Sequence, residues 1–238
     1  MQLTKKTMKS ISFVMPALNE REGIVATIES IPLEKLEQMG YEVEIIVVDG
    51  GSEDETAHLA RKAGARIIFS PRGYGRQYKN GFKEARGEII ITGDSDGTYP
   101  FDHVPFYIKQ LESRGLDFVT VNRFAHMEPG AMHFTNKIGN FGLTLFTNIL
   151  FGLRLKDSQS GMWIFKREAL SKIKLRSDGM PFSQELKIES FAKLRSLEID
   201  GSYRERLGNT KLMKLRDGWG NLKALFEKRF IVKLSIIH

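Results

Sequence analysis

The sequence predicts an α/β fold in which a mostly parallel β-sheet is flanked by helices. Three observations predict it. Strand-like and helix-like segments alternate four times within the first hundred residues, the strand segments are short apolar runs rich in β-branched residues, and each run ends in a polar cluster. Such runs are typical of strands that a parallel sheet buries on both faces. With 238 residues, 41% of them hydrophobic, one large domain is expected.

The first half of the chain supplies four predicted strands and the helices between them. The strands are expected at 10–15, 43–48, 66–70 and 88–93. The helices are expected at 20–30, at 53–64 with Ser52 as N-cap, and at 75–87.

The second half differs in character. A strand is expected at 118–124, followed by a long apolar helix within 136–155. A polar loop then leads into a strand within 156–170, and a helix capped by Ser183 is expected at 183–196. The last strand, within 197–212, leads into a basic loop.

Composition narrows the classes of protein. The chain has no cysteine, which excludes disulfides and cysteine-bound metals and fits a reducing compartment. The basic start, "MQLTKKTMKSISFVM", is followed at once by Pro16 and "LNERE", so no signal peptide is expected. The best apolar stretch, 141–153, is too short to span a membrane and contains Thr and Asn.

Positive charge is concentrated at the C-terminal end. The net charge is +7, and the residues from Tyr203 onward carry nine basic and three acidic side chains. This distribution suggests an anionic partner, which could be a membrane surface, a phosphorylated substrate or a nucleic acid. Residues 212–238 interleave apolar and basic residues as an amphipathic helix suited to an anionic membrane, with a break expected at Gly218 and Gly220. The alternative is a helix packed on the domain.

Polar clusters follow each of the first four predicted strands. They read "PALNE", "DGGSED", "PRGYGR" and "DSD". Ligands of parallel sheets bind at the carboxyl ends of the strands, so these clusters predict a ligand site. No G-x-G-x-x-G follows the first strand and no P-loop motif occurs. The sequence therefore disfavours a dinucleotide-binding protein of the usual kind and a P-loop protein.

The "DSD" cluster places two carboxylates, Asp94 and Asp96, one residue apart. Residues two apart in an extended segment point the same way, so these charges repel each other unless a positive charge lies between them. A solvated turn is the simpler alternative, because Asp, Ser and Gly are ordinary turn residues.

Five motifs together resemble family 2 of the glycosyltransferases. They are "PALNE", "VVDGGSEDET", "GDSDGTYP", "KDSQSGMWIFKREAL" and "YRERLGNTKL", in this order. The nearest resemblance is to the dolichyl- or polyprenyl-phosphate sugar synthases, which move mannose or glucose from GDP or UDP to a lipid phosphate. It covers about residues 10–215 and implies the GT-A fold, a Rossmann-like mixed sheet. Residues 1–211 would form this domain, with a nucleotide-sugar half at about 10–125, an acceptor half at 126–211, and a separate basic helix at 212–238.

The resemblance also implies residues that bind the nucleotide sugar. They are Pro16, Ala17, Asn19, Glu20, Asp49, Arg76 and Asp94. Asp49 matches the first Asp of the family's "VDD" and is expected at the base or ribose. The second Asp is Gly50 here, which leaves the base preference open. Arg76 could equally be a surface residue at a helix start.

The D-x-D of the family corresponds to Asp94 and Asp96. These residues are expected to hold Mg²⁺ or Mn²⁺, which would neutralise the departing nucleoside diphosphate. Thr98 stands where the family often has a Gln that assists the metal. Asp96, Asp94, Glu185 and Arg123 form the predicted catalytic set.

Acceptor-side residues are implied in the same way. A lipid phosphate is already an anion, so it needs cations to hold it more than a general base. The expected contacts are Arg123, Arg204, Arg206, Lys211 and Asp157. Asp157 could instead cap its loop. Glu185 is a candidate base for a hydroxyl acceptor, or a first-turn glutamate favoured by the helix dipole.

The expected function is therefore an inverting, metal-dependent transfer of mannose or glucose from a GDP- or UDP-sugar to a dolichyl or polyprenyl phosphate. The first alternative is a family 2 enzyme that acts on a sugar hydroxyl of a glycan or glycolipid. A non-catalytic binder of membranes or nucleic acid is the alternative of another class, although nucleic acid is not an expected partner. The enzyme is expected at the cytoplasmic face of a membrane, as a peripheral protein.

Overall fold

The computed structural model describes residues 9–208 and the helix at 214–234, with the side chains of 218 and 220–230 in that helix. The strands are β1 Lys9–Ala17, β2 Tyr41–Asp49, β3 Arg66–Phe69, β4 Ile89–Thr92, β5 Phe118–Met127, β6 Trp163–Lys166 and β7 Ser196–Tyr203. The helices are α1 Ile24–Glu29, α2 Leu33–Gln38, α3 Thr56–Lys62, α4 Tyr74–Glu84, α5 Val104–Ser113, α6 Phe134–Phe151, α7 Phe182–Lys193 and α8 Lys214–Leu234, with short 3₁₀ helices at Phe101–His103 and Arg167–Lys172.

The seven strands form one mixed sheet in the order β3-β2-β1-β4-β6-β5-β7. β1 runs parallel to β2 and β4, and β2 runs parallel to β3. β6 is antiparallel to both of its neighbours, β4 and β5, while β5 and β7 are parallel. This topology confirms the predicted α/β class with a mostly parallel sheet.

Alternating residues of the central strands supply two separate apolar layers. Phe13 faces one layer, where its ring meets Phe101 edge-on at 5.3 Å between centroids. Val14 faces the other layer, together with Tyr78 of α4 and Trp163 of β6, whose rings are 5.0 Å apart. Both faces of the sheet are therefore buried, which explains why its strands are continuous apolar runs.

Two predicted helix caps are wrong. α3 begins at Thr56, and the hydroxyl of Ser52 accepts a hydrogen bond from the amide of Asn19 at 2.9 Å. α7 begins at Phe182 without a side-chain cap, and Ser183 is buried inside its first turn. The hydroxyl of Ser52 is thus used in a tertiary contact, and Ser183 lies one residue inside its helix and not before it.

Other boundaries also differ from expectation. α8 runs unbroken through Gly218 and Gly220, so the predicted break there is wrong. The short helices α2 and α5 were not predicted. α6 ends at Gly152, whose φ of 66° is the left-handed conformation that glycine adopts readily at helix ends. The predicted division at 211 and 212 lies outside the described residues.

Close packing of α4 on the sheet generates a stability prediction. A Cβ on Gly81 would meet Val14 and lie 2.8 Å from Cγ2 of Val48, both in the sheet. Gly81→Ala is therefore expected to lower the free energy of unfolding by about 1–3 kcal/mol, because the helix must move away from the strands. Urea denaturation measures this change.

Gly139→Ala is the matched control, because Gly139 also lies inside a helix but has nothing within 4 Å of its Cβ position. Alanine there should leave stability unchanged or raise it by up to about 1 kcal/mol. Equal midpoints for the two variants would contradict close packing at Gly81.

Candidate active site

The carboxyl ends of β1, β2 and β4 bring three of the predicted polar clusters to one edge. The hydroxyl of Ser95 donates to the carbonyl of Pro16 at 2.8 Å, and the amide of Gly50 donates to the carbonyl of Ala17 at 2.9 Å. The loops after β1, β2 and β4 are therefore joined directly, as parallel strand ends allow.

Asn19 organises the loop after β1. It is the one non-glycine residue with a positive φ, 52°, in the described part of the chain, a conformation that asparagine tolerates. Its side-chain oxygen accepts from the amide of Glu53 at 2.7 Å, and the amide of Glu20 donates to the hydroxyl of Thr56 at 2.8 Å. These bonds clamp the first loop to the loop after β2.

Asp49 is the last residue of β2, and only one of its two carboxylate oxygens accepts hydrogen bonds from the described residues. Its Oδ1 accepts from the amides of Gly51 and Ser52, both at 2.8 Å. Its Oδ2 is buried and has no hydrogen-bond partner among the described residues. Because a buried polar atom without a partner is costly, this oxygen is placed to accept from a ligand.

Gln77 explains why Gly50 stands beside Asp49. The amide of Gln77 donates to the carbonyls of Ala17 at 2.9 Å and Val48 at 2.8 Å, which ties β1 to β2. A Cβ on Gly50 would lie 2.9 Å from that amide nitrogen. A second Asp at position 50 would therefore displace Gln77. The sequence offered no signal for this residue, because a helical Gln usually faces solvent.

Asp94 and Asp96 differ in environment. The hydroxyl of Tyr74 donates to Oδ1 of Asp94 at 3.1 Å. Burial, and then the nearby charge of Asp96, raise the pKa of Asp94 to about 7. Asp96 accepts from the amide of Thr98 at 3.1 Å and from its hydroxyl at 2.7 Å. Thr98 thus holds Asp96 in place.

Arg206 supplies positive charge at this pair. Its Nη1 donates to Oδ2 of Asp96 at 2.6 Å, and its Nη2 lies 2.5 Å from Oε1 of Glu20. The amide of Leu207 donates to the carbonyl of Asp96 at 2.9 Å, so the segment after β7 lies along the D-x-D loop. Arg206 therefore sits with the predicted donor-side residues, although the resemblance put it at the acceptor phosphate.

Arg204 of that segment lies apart from the D-x-D pair. Arg204 pairs with Asp102 at 3.1 Å on the surface, while its amide donates to the carbonyl of Thr98. Lys211 lies outside the described residues.

Arg123 and Asp157, both predicted to lie on the acceptor side, form a buried ion pair. Nε of Arg123 lies 2.7 Å from Oδ2 of Asp157, and Nη2 lies 3.0 Å from Oδ1. The guanidinium carbon lies 5.3 Å from the ring centroid of Tyr203. Burial opposes ionisation of Asp157, but the charge and hydrogen bonds of Arg123 outweigh it and lower the pKa of Asp157 to about 2.

Lys187 and Glu198 hold the main chain at Asp157 by hydrogen bonds. The ammonium group of Lys187 donates to the main-chain carbonyl of Asp157, and burial lowers the pKa of Lys187 to about 8. Glu198 accepts from the amides of Lys156 at 2.6 Å and Asp157 at 3.0 Å. Sequence reasoning missed both residues, because Lys and Glu within a helix and a strand are usually exposed.

Glu185 and Arg76 lie in other contacts. Oε2 of Glu185 accepts from the amides of Arg176 at 2.9 Å and Ser177 at 2.8 Å, and Oε1 lies 3.3 Å from Nζ of Lys228 on α8. Arg76 pairs with Asp178 at 2.7 Å at the surface. Neither side chain contacts the D-x-D pair through any described hydrogen bond or ion pair.

Asp94 and Asp96 are the carboxylates that the site offers to a metal ion. Within 9–208 and the described part of α8, no three His, Cys, Asp or Glu residues are grouped to hold an ion. Asp94 and Asp96 alone fit a hard cation that takes its other ligands from a diphosphate and water. The pKa of Asp94 is raised by burial and by the charge of Asp96, and a cation held by the two carboxylates would offset both effects.

The Arg123–Asp157 pair generates a prediction about stability and pH. Asp157→Asn should lower the free energy of unfolding at pH 7 by about 3–5 kcal/mol, since it leaves a buried cation unpaired. The folded pKa of Asp157, about 2, lies below its unfolded value. The stabilisation is therefore complete above that unfolded value and is lost as pH falls toward 2. Urea unfolding between pH 7 and pH 2 should show a shallower pH dependence in the variant.

Asp178→Asn is the control, because its pair with Arg76 is half exposed. An exposed pair contributes only about 0–1 kcal/mol. Similar losses in the two variants would show that the buried pair does not stabilise the fold in this way.

No helix within the described residues has the length and apolar character needed to cross a membrane.

Comparisons with known proteins agree with this geometry. Residues 12–174 match the family model described as glycosyl transferase family 2. The low-salt glycan biosynthesis hexosyltransferase Agl6 of Haloferax volcanii is 35% identical over 221 residues, which are 91% of this chain and 53% of that protein. The chain thus spans about half of that relative's length. A dolichyl-phosphate hexose transferase of the same organism is 31% identical over 214 residues, which are 88% of this chain and 90% of that protein.

A crystal structure of glucosyl-3-phosphoglycerate synthase from Mycobacterium tuberculosis, in complex with Mn²⁺, UDP and glucosyl-3-phosphoglycerate, has the same fold. The TM-score is 0.72 at 22% identity, over 93% of this chain and 80% of that one. This likeness confirms the GT-A architecture. With the family match and the two relatives, it leads to one conclusion: the chain is a glycosyltransferase and belongs to family 2 of these enzymes.

Proposed function

We propose that this enzyme moves a hexose, mannose or glucose, from a GDP- or UDP-sugar to a dolichyl or polyprenyl phosphate, with inversion and with the help of Mg²⁺ or Mn²⁺. One observation carries the proposal. The cations that act on the D-x-D are Arg206, which pairs with Asp96, and Arg123, whose charge lowers the pKa of Asp94, whereas the candidate base, Glu185, is bonded to two amides and a lysine. Such a site favours an anionic acceptor over a hydroxyl that must lose a proton.

On the donor side, the free Oδ2 of Asp49 would accept a hydrogen bond from the base or ribose. The clamped loop of Asn19 would fix the nucleoside against β1. Asp94 and Asp96 would hold the cation, which when bound supplies positive charge to the departing diphosphate. Arg206 lies close enough to add to that charge. The proposed donor is either a GDP-sugar or a UDP-sugar.

On the acceptor side, Arg123 would orient the lipid phosphate. Its pair with Asp157 uses Nε and Nη2 and leaves Nη1 outside the pair. A phosphate oxygen would attack the anomeric carbon from the face opposite the diphosphate. The new carbon–oxygen bond forms as the bond to the diphosphate breaks, and no proton has to leave the nucleophile. Lys211 remains a proposed further contact.

The enzyme is proposed to act as a peripheral protein on the cytoplasmic face of a membrane. α8 packs against the domain, and its Lys228 is paired with Glu185 at 3.3 Å and Glu189 at 2.8 Å. The exposed Lys223 and Arg229 would therefore supply the attraction to anionic lipids.

Release of nucleoside diphosphate tests the proposal directly. A panel of UDP- and GDP-sugars would be incubated with Mg²⁺ or Mn²⁺, with and without a polyprenyl phosphate. We expect one donor to give release that depends on both metal and lipid, and Asp96→Ala to reduce it by at least about a thousandfold, since it removes a metal-holding carboxylate. Metal-dependent release that ignores the lipid would exclude the proposed acceptor.

Glu185→Gln separates the lipid phosphate from a hydroxyl acceptor. We expect turnover to fall less than about tenfold, because the proposed nucleophile needs no base. Glu189→Gln is the matched control, since Glu189 is a second α7 carboxylate that contacts Lys228. Loss of nearly all turnover in the Glu185 variant alone, with unfolding midpoints equal in the two, would favour the alternative acceptor, a sugar hydroxyl of a glycan or glycolipid.

A further inference from the structure

α6 presents its large apolar side chains outward. Phe134, Ile138, Phe141, Leu145 and Ile149 recur every three or four residues, which places them on one side of the helix. Between 47% and 75% of each side chain is exposed. The row covers the sixteen residues 134–149, and its ends lie roughly 22 Å apart along the helix.

The side of α6 that faces the domain is polar. The hydroxyl of Thr144 donates to that of Ser158 at 3.0 Å and accepts from the Ser158 amide at the same distance. The side chain of Asn148 bonds both the carbonyl and the amide of Leu155, at 2.8 and 2.9 Å. The only fully buried residues of α6 are Thr144 and Thr147. A water-facing helix has the opposite arrangement.

α8, which packs against α6, exposes large apolar side chains of its own. The two helices are in contact, and Phe226 and Phe230 of α8 are exposed as well. We call these residues the α6–α8 face; its members are Phe134, Ile138, Phe141, Leu145, Phe146, Ile149, Phe226 and Phe230.

Most of the described charged side chains on these two helices near the face are basic. α6 contains no acidic residue, and Lys137 is its one basic residue. On α8, Lys223 and Arg229 are exposed, and the exposed Glu227 lies 3.7 Å from Lys223. An apolar row with a basic margin matches the acyl chains and anionic headgroups of a lipid surface.

We propose that the α6–α8 face docks on a lipid bilayer, with its apolar side chains among the acyl chains. The proposal deepens the proposed function and rests on it for the choice of occupant. Thr144 holds Ser158, next to Asp157, so the face lies beside the acceptor-side groups. A cleft of about 500 Å³, lined among others by Phe124, Phe141 and Lys137, opens between the end of β5 and α6. For a lipid phosphate with a long apolar chain to reach this cleft, the bilayer that holds the chain would have to lie beside it.

Sedimentation with vesicles tests the docking. Vesicles of phosphatidylcholine and phosphatidylglycerol in equal parts would be mixed with the full chain and with the triple variant Ile138→Ser, Leu145→Ser, Ile149→Ser, none of which lines the cleft. We expect the variant to partition at least about tenfold more weakly, because three large apolar side chains no longer enter the lipid. Equal partitioning of the two proteins would overturn the proposal.

The double variant Phe69→Ser, Phe106→Ser is the matched control. These side chains are 69% and 51% exposed but lie on β3 and α5. Their replacement is expected to leave vesicle binding unchanged, and an equal loss in this variant would overturn the proposed location. Lys223→Ala with Arg229→Ala should weaken binding to the anionic vesicles and leave binding to pure phosphatidylcholine unchanged.

A second copy of the chain is the other possible occupant. Sedimentation velocity without lipid decides this, because a dimer that the triple variant dissociates, with no binding to vesicles, would overturn the docking on lipid.

Measuring turnover on two acceptors, one soluble and one in vesicles, separates failure of the docking from failure of the proposed function. The triple variant is expected to retain turnover on a short, water-soluble polyprenyl phosphate and to lose at least about tenfold on a long-chain acceptor in vesicles. Vesicle binding by the wild type without turnover on either acceptor would refute the function alone. Full turnover by the triple variant on the long-chain acceptor would refute the docking alone.

Discussion

Buried negative charge at the carboxyl edge of the sheet is the constraint on which the arrangement of this enzyme depends. β1, β2 and β4 run parallel, so their ends bring Glu20, Asp49, Asp94 and Asp96 to one side of the molecule. Carboxylates removed from water must be compensated nearby. The compensation comes from Arg206, which follows β7 at the far edge of the sheet. The chain after β7 therefore has to return along the D-x-D loop, and this return joins the two halves of the domain at the site.

The group of charged residues around Arg123 balances its buried charge in a different way. Arg123 and Lys187 provide two positive charges, and Asp157 and Glu198 provide two negative ones. This group is complete within the protein, so it needs no ligand to be stable. The edge formed by β1, β2 and β4, in contrast, has an oxygen on Asp49 without a partner among the described residues and a carboxyl group, Asp94, whose pKa is raised to about 7. The Arg123 group is thus charge-balanced without a ligand, with only Nη1 of Arg123 outside its ion pair, whereas Asp49 and Asp94 are left with groups that a ligand would satisfy.

The sequence allowed the strands and the edge of the sheet that carries the site to be predicted, because both follow from local patterns. Apolar β-branched runs identify buried strands, and parallel strands place their following loops together. The role of Gln77 could not be predicted, because its partners, Ala17 and Val48, lie far away in the sequence. Lys187 was missed for the same reason. The orientation of α6 was beyond prediction too, because its sequence is apolar around most of the helix and periodicity cannot show which side faces the protein.

In α8, a tertiary contact decides which basic side chains are available to an anionic surface. In the sequence, Lys228 is one more basic residue of a helix suited to an anionic surface. In the fold it neutralises Glu185 and Glu189, so its charge is used inside the protein and attracts no lipid. A surface that relied on the remaining exposed charges of α8 would bind lipid weakly, at about 1 kcal/mol for each residue. The apolar row of α6 can contribute more than these charges. It follows that the polar contacts of Thr144 and Asn148, which hold α6 with its apolar side outward, are as important for docking as the exposed side chains themselves.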